Sequence, residues 1–452
     1  MHRSAIIVTA TIAALAGSAL AQWNPTGGEW GKSTDTDVRL MTWNILDTIR
    51  TENPSKTDSI SNWNACVRIV AGFRPDVLIL QETGDNGCSG CVDSVAELTN
   101  LAHLFFHGGA DPYMGGTVTS YVQLFAPGYD LPYVFVSDTS DGYNRNMILS
   151  RFPYADLNGD GSATESNFLV LADEYATTGN VIRGYQFAEI DLPDATYDGD
   201  LVIGNGHLKA GSTTSDKAQR LAEAQRVAYY VDYLFNGAGT GEPDPHSTII
   251  FPNPATILAD NTPVIWGGDW NEDEVTNGRK GPAEWMTRAA LTGGTDGTDR
   301  NRSDSVYDSA TDVFTGSRAT HGSSTLDYIA WQDSIVENVV RQFVFESANV
   351  PSTSQLPEPV RTFPYPAPVV TSSFASDHRP VIVDFQLTLA QAGPCNDADL
   401  AEPYDVLDLA DINAFTSGFL AQDPIADLAE PFGVLDLNDI NAFIAGFISG
   451  CP

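Results

Sequence analysis

Two polar side chains that follow a short apolar run have the chemistry needed for hydrolysis. Val264–Trp266 is followed by the glycines Gly267-Gly268 and then by Asp269 and Asn271. The apolar run predicts a buried strand, and the glycines predict a tight turn at its end. On extended backbone, residues two apart face the same side, so Asp269 and Asn271 would face one substrate. A carboxylate takes a proton from water and an amide holds an anion, but a loop that turns at Asp-x-Asn fits these residues equally well.

Comparable polar residues follow other apolar runs along the chain. In order they are Asn44, Glu82, His207, Asp269 with Asn271, Asp327, and Asp377 with His378. Each of them alone is explained equally well as a turn former or a surface group. As an ordered series at the ends of successive predicted strands, they indicate one composite site.

Strands that alternate with helices would bring these side chains together. Strands are predicted at 38–44, 76–82, 201–206, 325–331 and 381–387, and helices at 57–73 and 216–235. This alternation predicts an α/β domain with a substantial sheet core, whose site lies at the strand ends. The long segments 94–141 and 235–261 contain Gly and Pro, and we predict surface insertions there.

Composition and the N-terminus predict an exported, acidic protein. The chain has 452 residues, of which 42% are hydrophobic, and a formal net charge of −36. Arg3, the apolar run 5–16 and Ala19-Leu20-Ala21 are typical of a secretory signal peptide over 1–21, with an N-terminal core helix as the alternative. The charge argues against a module that binds nucleic acid by passive phosphate attraction. It does not argue against an enzyme that reaches phosphate through a metal ion.

Five cysteines follow the leader, as an oxidising compartment permits. Cys88 and Cys91 lie in Cys-Ser-Gly-Cys, which fits a small disulfide loop or half of a zinc site, although no matching ligand pair accompanies it. Cys395 and Cys451 bracket the last segment of the chain and are predicted to join its ends. Cys66 is left over and is predicted to be a buried thiol.

A calcium loop and a plain Asx-rich turn both fit the segment 156–161. Asp156, Asn158 and Asp160 place oxygen side chains at positions 1, 3 and 5, and Gly161 follows at position 6. This is the first half of an EF-hand loop. Asn167 stands at position 12, where that loop carries Glu. Despite this difference we predict calcium here, with a structural rather than a catalytic role.

The polar series resembles the endonuclease/exonuclease/phosphatase superfamily, which includes secreted deoxyribonucleases and neutral sphingomyelinases. The motifs that carry the resemblance over residues 36–388 are Thr42–Asn44, Leu80–Thr83, Gly206–Lys209, Gly268–Asn271, Leu326–Ile329 and Ser376–Val381. It implies a catalytic domain over 22–390, built as two β-sheets in a sandwich flanked by helices. It also implies a magnesium-dependent phosphoesterase site at one end of that sandwich.

The same resemblance implies which residues bind the metal and activate water. Glu82 would be the main metal ligand, with Asn44 beside it and Asp377 available nearby. Magnesium is expected, with manganese as a substitute, because oxygen ligands and retained water suit these ions. Asp269 would orient or deprotonate the attacking water, and Asn271 would hold that water or the phosphate.

Two histidines would complete the implied site. His378 would contact the phosphate, with its ring fixed and kept charged by Asp327. His207 would stabilise the departing or equatorial oxygen. Secreted deoxyribonucleases carry Glu where Asn146 aligns, and an amide does not stabilise an imidazolium, which puts a proton-transfer role of His207 in question. The basic turn Arg279-Lys280 would meet a substrate phosphate or lie in solvent.

Residues 395–452 contain an acidic internal repeat. The sequence 399–415 recurs at 427–443, and each copy predicts an oxygen-rich loop and a helix, at 411–419 and 439–447. The repeat resembles a tandem bacterial dockerin, which implies calcium loops and a cohesin-like partner. The candidate calcium ligands are Asp399, Asp408, Asp411, Asp427, Asp436 and Asp439. A disordered acidic tail is the alternative, and the regular apolar positions argue against it.

Together these features predict an exported, metal-dependent phosphoesterase that the tail attaches to a partner or to the cell surface. A nuclease or phosphodiesterase acting on extracellular nucleic acid is the first hypothesis. A sphingomyelinase-like or other phosphatase activity on lipid or small phosphoesters is the alternative, and a non-catalytic, anchored binding protein is a third. No segment after the leader is long and apolar enough to span a bilayer.

Overall fold

The computed structural model describes residues 23–47, 49, 59–84, 94–110, 115–137, 140, 144–157, 166–168, 185–229, 258, 262–278, 281–286, 310–331, 338–390, 393–404 and 406–451. Within them, two large β-sheets are flanked by helices, and two further helices follow in the tail. None of the helices in these ranges has the length and apolarity needed to cross a membrane.

The strands and helices follow the predicted alternation. The strands are β1 Trp23–Asn24, β2 Glu29–Trp30, β3 Val38–Asn44, β4 Val77–Gln81, β5 Gly109–Ala110, β6 Thr117–Val118, β7 Tyr133–Val136, β8 Met147–Ser150, β9 Ser166–Phe168, β10 Tyr185–Ile190, β11 Leu201–His207, β12 Val264–Asp269, β13 Thr311–Asp312, β14 Asp327–Trp331, β15 Asn338–Val344 and β16 Val381–Gln386. The helices are α1 Ser59–Phe73, α2 Val95–Phe106, α3 Tyr121–Phe125, α4 Thr214–Tyr229, α5 Pro282–Met286, α6 Thr371–Ala375, α7 Leu409–Ala421 and α8 Leu437–Ser449. One sheet has the order β13-β15-β16-β3-β4-β8-β7 and the other β14-β12-β11-β10-β9.

Alternating side chains pack the two sheets against each other and against the helices. In β4, Val77 and Ile79 lie in the core between the sheets, whereas Leu78 and Leu80 lie in the core beneath α1 and α2. On the other sheet, Trp266 of β12 packs in a third core with side chains of α4 and α5. Period-two alternation thus buries both faces of each central strand. The predicted α/β class, a two-sheet sandwich flanked by helices, is confirmed.

The strand that carries Asp269 does not end at its paired glycines, so the predicted tight turn there is wrong. β12 continues through both glycines and pairs with β11 and β14 as far as Asp269. A side-chain carbon at Gly268, where φ is +142°, would lie only 1.8 Å from the Gly206 carbonyl oxygen. Glycine is therefore needed here for the close approach of the neighbouring strand. The chain turns later, at Asn271, where φ is +56°.

The segment 94–141 is not merely a surface insertion, because it supplies α2 to the core. Ser94 and Glu97 form a capping box that starts this helix. Leu98, Leu101 and Phe105 follow at helical spacing and are buried against the larger sheet. The helical period was present in the sequence, but Gly and Pro in the rest of the segment concealed it.

The tail forms the two predicted helices and one predicted disulfide. α7 and α8 each begin at an aspartate that forms a capping box with a second aspartate. Phe415 and Phe443, at equivalent positions of the repeat, stack with their ring centroids 4.2 Å apart. Cys395 and Cys451 are bonded, and Cys66 is a buried thiol, as predicted. The disulfide and stacked rings compensate for a small core.

Candidate active site

Strand ends bring the predicted site residues to one edge of the sandwich. β3 and β4 run parallel and end together, carrying Asn44 and Glu82. In the other sheet His207 lies opposite Asp269 on a parallel strand, and Asp327 lies opposite Asp269 on an antiparallel one. Asn44 Nδ2 donates to Asp269 Oδ2 at 3.0 Å and so joins the two sheets at the site.

The Asp269 carboxylate lies at the centre of the site and is only 1% exposed. Besides Asn44 Nδ2, its Oδ2 faces His207 Nε2 at 3.4 Å and His378 Nε2 at 3.7 Å. Its Oδ1 accepts the backbone N–H of Asn271 at 2.9 Å. The four neighbours fix the carboxylate in one orientation, as a proton acceptor for a bound water requires.

Burial gives Asp269 a proton affinity suited to neutral pH. Burial first, and then the Asp327 carboxylate, raise the pKa of Asp269 to about 7, although His378 acts in the opposite direction. A carboxyl group with a pKa near the working pH serves well as a general base, because it is ionised yet still basic.

Asp327 orients His378 and favours its charged form. His378 Nδ1 lies 2.8 Å from Asp327 Oδ2, and the Trp43 indole N–H donates to the His378 carbonyl at 3.0 Å. Burial lowers the pKa of His378, but Asp327 and then Asp269 outweigh it and raise that pKa to about 10. His378 is therefore an imidazolium at neutral pH, suited to contact an anion.

Glu82, Asn44 and Asp377 supply oxygen donors that fit a divalent cation. Glu82 has φ +53° and leaves its carboxylate 20% exposed, with Oε1 3.8 Å from His207 Nε2. The Asn44 amide oxygen accepts the backbone N–H of Leu46 at 3.2 Å. The Asp377 side chain is 49% exposed. Carboxylate and amide oxygens open to water suit magnesium or manganese.

The sequence did not single out His321, which also lies at this site. Its ring packs on that of His378, with the centroids 4.6 Å apart and the planes inclined by 32°. Its Nε2 lies 3.5 Å from Asp377 Oδ2. The chain has seven histidines, and this one stands six residues before Asp327. That proximity was the available signal.

A buried amide network beneath the site was also missed. Gln81 Nε2 donates to Asn205 Oδ1 at 2.8 Å and to Thr42 Oγ1 at 3.2 Å. Asn205 Nδ2 in turn donates to the carbonyls of Leu80 and Met147 and to Gln186 Oε1. This network joins the two sheets next to the strand ends. Buried polar residues on strands look like interruptions of an apolar pattern, so the hydrogen-bond network between them was not predicted.

Several predicted residues lie outside the described ranges. They are Cys88, Cys91, Asn158, Asp160, Arg279 and Lys280. Asn146, aligned with the deoxyribonuclease Glu, is buried. Asp156, at the start of the predicted calcium loop, lies among other carboxylates: burial first, and then the charges of Asp200 and Asp156, raise the pKa of Glu189 to about 7. Calcium at this loop stays a prediction.

The candidate calcium ligands of the tail all bond backbone N–H groups. Asp411 accepts three, from Leu400, Ala401 and Asp408, at 2.8 to 2.9 Å. Asp439 accepts the equivalent three, at 2.7 to 2.9 Å. The N-caps Asp408 and Asp436, and the loop residues Asp399 and Asp427, each accept one or more as well. Calcium in the tail stays a prediction, beside a set of bonds that needs no metal.

Among the comparisons with known proteins, only the search of solved structures found similar proteins, and the similarity is one of fold. No protein-family model matches the sequence, and no curated protein matches it. Among solved structures, the chain is similar to an endonuclease/exonuclease/phosphatase from Beutenbergia cavernae, with 19% identity, a TM-score of 0.42, and coverage of 78% of this chain and 72% of that one. It is similar to truncated TDP2 of Caenorhabditis elegans, with 16% identity, a TM-score of 0.39, and coverage of 77% and 97%. It is also similar to D. rerio TDP2 complexed with single-strand DNA product, with 15% identity, a TM-score of 0.38, and coverage of 78% of this chain and 99% of that one.

Proposed function

We propose that this chain is a metal-dependent phosphoester hydrolase, and in the first instance a phosphodiesterase that cleaves nucleic acid. The observation that carries this proposal is the buried Asp269 carboxylate, faced by two imidazoles and one amide at the joined ends of two sheets. A proton acceptor beside an imidazolium that is charged at neutral pH is the arrangement that water attack on an anionic ester needs.

Three side chains of this protein have separate roles in the proposed reaction. Asp269 accepts the proton of the attacking water, because burial raises its pKa and its neighbours fix the carboxylate in one orientation. His378, held by Asp327, binds a phosphate oxygen and offsets the negative charge that grows in the transition state. His207 stands between Glu82 and Asp269, where it contacts the departing or equatorial oxygen.

Glu82, Asn44 and Asp377 would hold the divalent cation. When bound, such an ion supplies positive charge to the phosphate oxygens and orients them for in-line displacement. The donor set is all oxygen at these three positions, so magnesium is the first choice and manganese a substitute.

Export and attachment form the second part of the proposal. The leader over 1–21 supports export, and the disulfide Cys395–Cys451 is stable in an oxidising compartment. The tail helices expose Leu420 and Ile448, at 84% and 79%, which supports docking to a cohesin-like partner. We propose that the tail attaches the enzyme to such a partner or to the cell surface.

A parallel assay tests the enzymatic proposal. The purified chain, stripped of metal and then supplied with magnesium, is assayed on plasmid DNA, RNA, sphingomyelin and a simple aryl phosphodiester. We expect metal-dependent cleavage of nucleic acid, and a loss of at least about 100-fold in kcat for Asp269→Ala and His378→Ala. If the enzyme prefers sphingomyelin, the proposed nucleic-acid substrate is wrong, but the proposed phosphodiester hydrolysis stands.

The matched control is His107→Ala. His107 is an exposed histidine of the segment that follows α2, its Nδ1 lies 3.0 Å from Asp130 Oδ1, and its loss should leave kcat unchanged. Absence of metal-dependent activity on all four substrates would refute the hydrolase and leave the anchored binding protein. Unchanged rates in Asp269→Ala or His378→Ala would refute the roles given to those residues.

A further inference from the structure

His321 is built into the site by its backbone rather than placed there by a loose loop. His321 and Ser324 exchange backbone hydrogen bonds of 3.0 and 2.8 Å, which closes a tight hairpin. The Thr320 carbonyl accepts the N–H of Arg379 at 2.7 Å, next to His378. The Thr320 hydroxyl accepts the N–H of Asp327 at 3.1 Å. The hairpin is therefore fixed to both chain segments that carry the Asp327–His378 pair.

The His321 side chain lies on the solvent side of His378. Its ring packs at a tilt against that of His378, while Asp327 and Asp269 face the two nitrogens of the His378 ring. His321 Nε2 lies 3.5 Å from Asp377 Oδ2, and the two side chains are 43% and 49% exposed. We call His321 and Asp377 the rim pair. The rim pair presents one nitrogen and one carboxylate oxygen to the solvent beside a charged imidazolium.

The geometry of the rim pair suits a metal ion better than an anion. Adjacent ligands lie about 3.0 Å apart on an octahedral ion with bonds of about 2.1 Å, and about 3.3 Å apart on a tetrahedral ion. The observed 3.5 Å is near the tetrahedral value and about 0.5 Å longer than the octahedral one, so a small movement of the two exposed side chains brings either ion within reach. A phosphate alone would meet the Asp377 carboxylate, which repels it. A divalent cation between the two groups removes that repulsion.

The chemistry of the pair also selects among cations. Imidazole nitrogen is a poor ligand for magnesium and a good one for zinc and related transition metals, with manganese the weakest of that series. His378 is left out of the rim site, because Asp327 holds its Nδ1 at 2.8 Å and favours the charged ring, whose Nε2 proton is left for a substrate oxygen. Water and substrate oxygen would fill the remaining positions.

We propose that His321 and Asp377 form a rim site for a divalent transition metal ion, which binds a substrate phosphate oxygen beside His378. This inference rests on the proposed function for the role of the bound ion, but not for its binding. The rim site takes Asp377 from the ligand set named under the proposed function, which leaves Glu82 and Asn44 for the magnesium-type position.

Manganese binding to the full chain tests the rim site without any assay of activity. In a Glu82→Gln background, which weakens the oxygen site, bound Mn²⁺ is counted by the loss of the free-ion signal in electron paramagnetic resonance. Coupling of the electron spin to imidazole ¹⁴N reports a histidine ligand directly. We expect Mn²⁺ binding with ¹⁴N coupling in this background. Adding His321→Gln should abolish the coupling and weaken binding at least about 10-fold.

His107→Gln in the same background is the matched control. His107 is also a half-exposed histidine beside an aspartate, but its Nδ1 lies within hydrogen-bond distance of both Asp130 oxygens, at 3.0 and 3.1 Å. Binding and ¹⁴N coupling should survive this substitution. If His321→Gln leaves both unchanged, the rim site is wrong, whatever the activity. If both depend on His321 in a chain that hydrolyses no phosphoester, the rim site stands and the proposed function fails.

Discussion

Two carboxylates act on His378 at different distances and with different effects. Asp327 Oδ2 lies 2.8 Å from Nδ1, and a charge-assisted hydrogen bond of that length fixes both the ring and its proton. Asp269 Oδ2 lies 3.7 Å from Nε2, beyond a direct hydrogen bond. The Nε2 proton is therefore left for a substrate oxygen. In this arrangement Asp327 keeps His378 charged, and Asp269 remains free to accept a proton from water.

We predict that Asp327→Asn lowers the pKa of His378 from about 10 by roughly 1 to 3 pH units. The negative charge of Asp327 favours the imidazolium, so its removal lets the ring lose its proton at lower pH. Ring-carbon chemical shifts of the metal-free protein, followed by NMR as pH rises from 6 to 11, measure the change. Asp130→Asn removes the partner of exposed His107 and should leave His378 unaffected. A pKa that stays near 10 in Asp327→Asn would contradict the assigned role.

At the scale of elements, the site depends on how the two sheets are joined beneath it. Gln81 precedes Glu82, and Asn205 lies two residues before His207, so their 2.8 Å hydrogen bond ties a proposed metal ligand to a proposed catalytic histidine. Both amides are fully buried. In such surroundings an unpaired polar group is costly, so the network admits essentially one relative position of the sheets.

We predict that Asn205→Ala lowers both the free energy of unfolding and kcat. The substitution leaves Gln81 Nε2 and the Leu80 and Met147 carbonyls without this partner, which costs about 2 kcal/mol or more. Val202→Ala, at the far end of β11, removes buried apolar contact instead. Denaturant unfolding should show a loss of stability in both variants, but only Asn205→Ala should lower kcat. Equal effects on kcat would show that the network stabilises the fold without positioning the site.

The tail loops are organised around two buried aspartates. Asp411 and Asp439 each lie in the first turn of a helix, where they complete the capping box, and at the same time accept backbone N–H groups from the preceding loop. Each carboxylate thus satisfies donors that a loop of this kind leaves unpaired. The bonds are equivalent in the two copies of the repeat, which explains why aspartate recurs at these positions.

We predict that Asp439→Asn loosens the second loop at neutral pH, with or without a chelator. The backbone N–H of Asp436 lowers the pKa of Asp439 more than any other group does. Because the folded pKa is depressed, the contribution to stability is present above the ordinary value of 3.8 and is lost as pH falls through the folded pKa. Hydrogen exchange of the full chain should show faster exchange around Leu428 and Ala429. Asp423→Asn, in an exposed cap of the same tail, should not show this change.

A loss of protection in the wild-type chain on adding a chelator would contradict this expectation. It would show that calcium contributes to the loops, as the dockerin resemblance implies. Unchanged protection would assign the loops to the aspartates alone.

The elements could be predicted from sequence where a single physical rule dominates. Period-two alternation predicted β3, short apolar runs predicted β4 and β12, and helical spacing predicted α1. The rule failed at Gly268, because a glycine needed for close strand approach looks identical in sequence to one needed for a turn. The sequence pattern also did not indicate that His321 or Asn205 belongs to the site. Their roles depend on contacts with residues distant in the chain, and a local sequence pattern does not reveal such contacts.

At the scale of the whole molecule, most of the charge has one sign. The formal net charge is −36. Among the described residues, some cations are also withdrawn from the surface: Arg39 is buried and paired with Asp384 at 2.6 Å, and Arg220 is buried and paired with Glu272. The field that a polyanion meets on approach is therefore repulsive, and the attraction for phosphate is confined to the site itself.

We predict that kcat/KM for polymeric nucleic acid rises several-fold as NaCl increases from about 10 to 150 mM at constant magnesium. The Debye length falls from roughly 30 Å to 8 Å over this range, which screens the repulsion outside the site more than the contacts within it. A phosphodiester with a single charge should show little change, because the long-range repulsion it meets is small. A steep fall of kcat/KM with salt would instead indicate several phosphate contacts to basic groups. The turn Arg279-Lys280 would then be the first place to look, since substituting both residues should flatten that fall if they make the contacts.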